Sequence, residues 1–187
     1  MAILARTLLL LCTLCSFATA QSAPNTSLDT PDITAPSPMN NQRLDGLIRR
    51  IDESAEGSGG IWSLTIEGVS VQVITDESAN RMRIVAPIVK TNNLSEKQLY
   101  RLMQANFDTA LDARYAIANG ILWSTFIHPL GSLDDEAFLI ALGQTVNAAM
   151  TYGSSYSSGL LSFQSGDSQS ILQHQLIERL KKQGKSL

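Results

Sequence analysis

Beyond residue 20 the sequence has no cysteine; its two, Cys12 and Cys15, both sit in an apolar stretch near the N-terminus. A chain without thiols has no disulfide frame and no thiolate metal site, so the core alone must hold it together. An excess of basic charge is missing as well, the net charge being −3. Phosphate contacts need clustered lysines and arginines, and this mild acidity argues against nucleic acid as a partner. No Gly-x-Ser-x-Gly step occurs, and the histidines number two, His128 and His174. A Ser-His-Asp site would have to be assembled with no local signature.

What is present begins with a targeting pattern. Arg6 supplies a positive start, Thr7 to Phe17 an apolar core, and Ala18-Thr19-Ala20 the small residues that precede a cleavage site. The apolar run is short for a membrane span, and the pattern reads as a secretory signal peptide over 1–20, cut between Ala20 and Gln21. An uncleaved anchor is the alternative. Leu11 and Leu14 precede the two cysteines where a lipidation site usually has a small residue, so a lipoprotein is not expected. The expected location is periplasmic or secreted. The remaining stretch of about 165 residues is enough for one domain that buries most of its apolar surface. With 44% hydrophobic and 17% charged residues, the composition is that of a globular chain.

Pro24, Pro31, Pro36 and Pro38, set among Ser, Thr, Asn and Asp, make 21–42 a disordered linker. Leu44, Leu47, Ile48 and Ile51 then recur at helical spacing, which predicts a helix from Arg43 to Glu56, stopped by Gly57-Ser58-Gly59-Gly60. Strands follow at Ile61 to Glu67, Val69 to Thr75 and Met82 to Val89. Pro87 makes the third an edge strand, or else ends it. Ser95 and Gln98 form a capping box for a second helix, whose buried stripe is read as Leu99, Leu102, Met103 and Phe107.

Next comes a hairpin around Asn119-Gly120, a pair suited to a type I′ turn. Tyr115, Ile117, Leu122 and Phe126 alternate on one face, and Ala116, Ile121, Trp123 and Ile127 on the other. A hairpin apolar on both faces needs a cover on both. Ser132 reads as the cap of a third helix with Asp134, Asp135 and Glu136 in its first turn. The Ser- and Gly-rich segment 153–168 reads as mobile. An amphipathic tail helix is expected at about Gln169 to Lys182, with Leu172, Leu176 and Leu180 four apart.

The matching stretches Ala113 to Asn119, Gly120 to Ile127 and Pro129-Leu130-Gly131-Ser132-Leu133, with the helix through Met150, resemble the type III secretion chaperone-like fold. That superfamily includes the YbjN-like bacterial proteins, and the resemblance covers roughly residues 43–152. It implies an α+β domain with a five-stranded antiparallel sheet in the order α-β-β-β-α-β-β-α, plus the tail helix. It also implies a non-enzymatic homodimer that holds polypeptide segments. Dedicated effector chaperones work in the cytosol, whereas this chain carries an export signal. The fold therefore transfers more readily than the particular role.

No catalytic, metal or cofactor residue is assigned. His128 beside Asp134 and Asp135 lacks ligand spacing and reads as a bend residue bonded to backbone. The Gly57–Gly60 run precedes a strand, where phosphate loops precede a helix. Trp62 and Trp123 read first as core. If a sheet face is open, Ile121, Trp123, Ile127 and Trp62 are the candidates for a partner or dimer face. Arg179, Lys181, Lys182 and Lys185 on the tail could touch anionic lipid, though cations closing a helix explain them equally. The expected function is an exported, non-enzymatic protein-binding or chaperone-like module, binding a polypeptide client or a second copy of itself. The alternatives are a structural component of a bacterial envelope assembly and an enzyme of unrecognised type.

Overall fold

The structure, a computed structural model, describes residues 37–158 and 168–185, with backbone alone over 168–174. The signal peptide with its Ala20–Gln21 cleavage site, the linker up to residue 36, residues 159–167 and the side chains of Leu172 and His174 lie outside the described residues. All elements belong to one unit, Pro36–Leu187. In chain order they are α1 (Asn41–Ile51), β1 (Glu56–Ser58), β2 (Ile61–Ile66), β3 (Val69–Asp76), β4 (Arg81–Lys90), a 3-10 turn (Thr91–Asn93), α2 (Glu96–Asp108), β5 (Arg114–Ala118), β6 (Ile121–His128), α3 (Asp135–Met150) and α4 (Ser168–Gly184). Among the described residues no helix is long and apolar enough to cross a membrane.

The class is α+β, as expected, but the antiparallel sheet has six strands, in the order β1-β2-β3-β4-β6-β5. The extra strand lies where the first helix was expected to end and the glycine run to begin. That helix ends at Ile51, because Asp52 is extended and its carboxylate accepts the amides of Ser54 (2.9 Å) and Thr65 (3.1 Å). The chain turns back, and Glu56–Ser58 pairs with Ile61–Ser63. All three β1 residues are exposed, so no apolar alternation announces the strand. The glycine run is thus a hairpin turn rather than a helix stop. At the other end of α1 the Asn40 side chain accepts the amide of Arg43, so the helix begins two residues inside the expected linker.

Pro87 does not end β4, which continues to Lys90 opposite Ile121. On its other side the ladder to β3 stops at Val85, so Pro87 lies where β4 has already become an edge and no partner needs its missing N–H. A bulge between Pro87 and Val89 absorbs the one-residue shift in register against β6. Asn119 and Gly120 adopt φ of 51° and 71°, the positive pair that a type I′ turn requires. The third helix starts later than expected. Leu130 and Leu133 both bury into the core first, so the cap is Asp134, which accepts the amide of Ala137 at 2.7 Å, and not Ser132.

Trp62, Leu64, Val71, Val73, Met82 and Ile84 line the inner face of the sheet against Leu44, Leu47 and Ile48 of α1 and Phe138, Leu142 and Val146 of α3. Each such side chain contributes about 1.5–3 kcal/mol on burial. Helix α3 is buried nearly all round, because α4 packs on the side away from the sheet; Met150 at its end is exposed. Gly143 makes that approach possible, since a Cβ there would stand 2.5 Å from Cγ1 of Ile177. Ion pairs from Arg179 to Glu67 (2.6 Å) and from Lys181 to Glu136 (3.0 Å) border α4.

A second, smaller core sits under α2 at the β5 end: Leu102, Ala105, Tyr115, Leu122, Ala148 and Tyr156. Asn106 acts there as a substitute strand. Its side chain accepts the Tyr115 amide (2.8 Å) and donates to the Tyr115 carbonyl (3.0 Å), closing part of the β5 edge. Residues 153–158, expected to be mobile, are tied down here. Thr109 Oγ1 donates to the Tyr156 carbonyl (2.7 Å), the Leu111 amide donates to Ser158 Oγ (2.6 Å), and Thr151 Oγ1 receives the Ser157 amide (2.8 Å). Hydroxyls that suggest a flexible linker serve here as partners for the backbone.

Candidate functional site

Among the described residues two apolar surfaces remain without a cover. The first is the outer face of the sheet. Strand alternation and the β4–β6–β5 register put Ile121, Trp123, Ile127 and Ala116 on that face, as the sequence implied, with Val85 and Pro87 of β4 beside them. Trp123 is half-buried, and its indole N–H donates to the carbonyl of Ala118 at 3.1 Å, which lays the ring along β5. Ile127 and, across the sheet on β2, Ile61 are 57% and 56% exposed. The tail helix is not the missing cover, because it packs on α3 and α1, on the opposite side of the sheet.

Trp62 does not share this face. It pairs with Val73, points inward and is 1% exposed, with its indole N–H donating to Asp45 Oδ1 at 2.8 Å. It is a core residue, and its place among the candidate partner-face residues is withdrawn. Its partner Asp45 is held below the usual carboxylate range, first by the Arg49 guanidinium and then by this indole.

The second surface was not foreseen. Capped by Ser95 and Gln98 as expected, α2 buries Leu102 and Ala105 and turns out most of the stripe that was assigned to the core. Phe107 is 93% exposed, Tyr100 68% and Met103 58%, with Leu99 beside them. At 100° per residue the buried and exposed groups fall on nearly opposite sides of the helix. Apolar residues span more than half of α2, so helical period alone does not say which part of that arc faces the core. The stripe read as buried was Leu99, Leu102, Met103 and Phe107; in the structure the side chain of Asn106 bonds to Tyr115 and Leu102 and Ala105 turn inward. Arg101, paired with Asp108 (3.3 Å) and stacked 5.4 Å above the Tyr156 ring, fixes the helix in this rotation.

His128 is a bend residue. Its Nδ1 lies 2.8 Å from the carbonyl of Pro129, to which it donates, and the ring stacks on Phe126 at 5.7 Å. Asp134 caps α3 and Asp135 pairs with Arg43 at 2.7 Å, so neither is turned to His128 chemistry. Among the described residues no three His, Cys, Asp or Glu side chains gather where they could hold a metal. On the tail, Arg179, Lys181 and Lys185 are engaged by Glu67 and Glu136. What the arrangement offers is contact area: a partly apolar sheet face and an apolar helix stripe.

No protein-family model matches the sequence, and no curated protein does. Solved structures similar to this chain include the ExsC–ExsE complex, with 20% identity over 58% of this chain and 86% of the other and a TM-score of 0.47. The HopA1–SchA chaperone–effector complex shows 9% identity over 60% and 94%, with a TM-score of 0.47. The Yersinia pestis type III secretion chaperone SycH, in complex with a stable fragment of YscM2, shows 17% identity over 60% and 98%, with a TM-score of 0.46. At these values neither family membership nor function is carried over from them.

Proposed function

We propose that this chain is an exported, non-enzymatic, chaperone-like protein-binding module that works as a homodimer and holds polypeptide on the outer face of its sheet. The observation that carries the reading is the pair of uncovered apolar surfaces, on two different elements, in a fold whose own helices are already spent on the inner face. Contiguous apolar surface of this kind is what soluble proteins reserve for partners.

The α2 stripe suits a second copy. Leu99, Met103 and Phe107 are evenly spaced, so a two-fold axis at Met103 sets Leu99 of one copy against Phe107 of the other, as a self-complementary contact demands. The sheet face then remains free for a client, and Trp123 is the kind of side chain that anchors one. The export reading rests on the Arg6-to-Ala20 pattern.

Light scattering on residues 21–187 tests the assembly. A dimer is expected for the native sequence. Met103→Glu with Phe107→Glu should give a monomer with unchanged circular dichroism, since both side chains already face water in the single chain. A native protein that stays strictly monomeric at tens of micromolar, roughly where weak obligate pairs still form, overturns the dimer. A photocrosslinker at Ile121, used in the envelope fraction, tests the binding face. Recovery of a polypeptide cross-linked to it is expected, and a free, unlinked protein counts against the client.

A further inference from the structure

At β4, β6 and β5 the outer sheet face is cationic as well as apolar, against the negative charge of the chain as a whole and apart from Asp76 and Glu56 on the β3 and β1 side of the same face. Along β4, β6 and β5 its outward positions carry Arg81, Arg83, Lys90 and Arg114, all exposed, and no carboxylate. Arg83 stands directly opposite Ile127, Arg114 opposite Thr125 and Lys90 opposite Ile121. Among the described residues Arg81, Arg83 and Arg114 make no ion pair, whereas Arg43, Arg49, Arg101 and Arg179 each do. The nearest acids are occupied or to one side. Asp76, opposite Arg81, accepts from Ser78 and Ala79, and Asp112, two residues before Arg114, accepts from Gln144.

We infer that this face selects extended polypeptide segments in which carboxylates flank an apolar side chain. The inference rests on the reading of the sheet face as a polypeptide site and adds the chemistry of what it takes. Arg83 and Arg114 flank β6 from its two sides, two strand spacings apart and offset by two residues, which places their backbones about 12 Å from each other. In an extended peptide, side chains on one face recur every second residue, so acids at i and i+4 lie about 13 Å apart with an apolar residue between them at i+2. Such a segment seats its apolar side chain among Trp123, Val85 and Ile127 while each carboxylate meets a guanidinium, whose fork holds it in two hydrogen bonds. The same charges disfavour a second copy on this face, because a two-fold axis there would bring arginine against arginine.

The test uses the mature protein and short labelled peptides that alternate Thr with Glu, Phe and Glu at i, i+2 and i+4, together with their Gln-Phe-Gln and Lys-Phe-Lys counterparts. Fluorescence anisotropy should show the Glu peptide binding about tenfold tighter than the Gln peptide at low salt, with the gap closing at about 0.5 M salt. Arg83→Gln with Arg114→Gln should reduce the Glu peptide to the Gln level. Arg83→Glu with Arg114→Glu should invert the order in favour of the Lys peptide. Both pairs are exposed and leave the core intact, which unchanged thermal unfolding checks. Equal binding of Glu and Gln peptides to the native protein overturns the charge selection while leaving the polypeptide site in place. No binding of any peptide, together with no polypeptide cross-linked at Ile121, overturns both.

Discussion

Tyr115 shows how much one side chain can carry. Its amide and carbonyl are held by Asn106, its ring meets Tyr156 edge-on at 6.1 Å, and its hydroxyl donates to the Ala148 carbonyl at 2.7 Å. That carbonyl lies in the last turn of α3, where intrahelical partners run out. Tyr115→Phe keeps the ring and leaves the carbonyl unpaired, so it should cost about 1–2 kcal/mol by urea unfolding. Burial pushes the Tyr115 phenol well above its ordinary range. Its contribution is therefore complete below the unfolded value near 10 and is lost as pH rises from there through the raised folded value. Native protein should lose stability in that alkaline window, and Tyr115→Phe should lose less of it. An equal loss in both would sink the assignment. The sequence put Tyr115 on the same face of the hairpin as Leu122 and Phe126, but with both faces apolar it did not say that this face is the one the helices cover. That Asn106 would pair with its backbone was not legible, since the two meet only when α2 lies across β5.

At the level of elements, the features built from adjacent residues were the most readable. The Ser95–Gln98 capping box, the Asn119-Gly120 turn and the tail helix depend on local chemistry that acts within a few residues. The hairpin β1–β2 depends on Asp52 reaching across to Thr65, and its exposed first strand has no pattern to detect. Gly143 is another case of distant control. A glycine within a helix is locally unfavourable by about 1 kcal/mol, yet here it admits Ile177 of α4. Gly143→Ala gains local propensity but forces α4 outward, and a net loss of about 1–3 kcal/mol is expected. Combining it with Ile177→Ala should cost less than the two single changes added together. Strict additivity in chemical denaturation would mean that the helices do not meet there. For α2, period and capping showed that a helix forms; which apolar stripe meets water was decided by packing against β5 and Tyr156.

Across the described residues, helices gather on one side of the sheet and none covers the other, so the two tryptophans experience different solvents. Trp62 lies in the core and Trp123 on the open face. Acrylamide should quench one of the two strongly. Trp62→Phe should leave a red-shifted, readily quenched emission, and Trp123→Phe a blue-shifted, protected one. Because the proposed dimer forms through α2, Met103→Glu with Phe107→Glu should leave Trp123 quenching unchanged; a change would place the dimer contact on the sheet instead. In β2, Trp62 shares its parity with Leu64 and Ile66 while Ser63 and Thr65 take the other, and that alternation, unused when Trp62 was named among the partner-face candidates, agrees with its inward position. In β6 both parities are apolar, so the sequence did not determine which face Trp123 joins. The sequence by itself determined the α+β class, most strands and helices, the capping box of α2, the Asn119-Gly120 turn, and the presence of more apolar surface than one layer of helices can cover. These follow from interactions between near neighbours along the chain. The sixth strand, the rotation of α2, the docking of α4 and the meeting of Arg83, Arg114 and Trp123 on one open face were decided by tertiary structure. They join residues far apart in sequence, where local pattern has no reach.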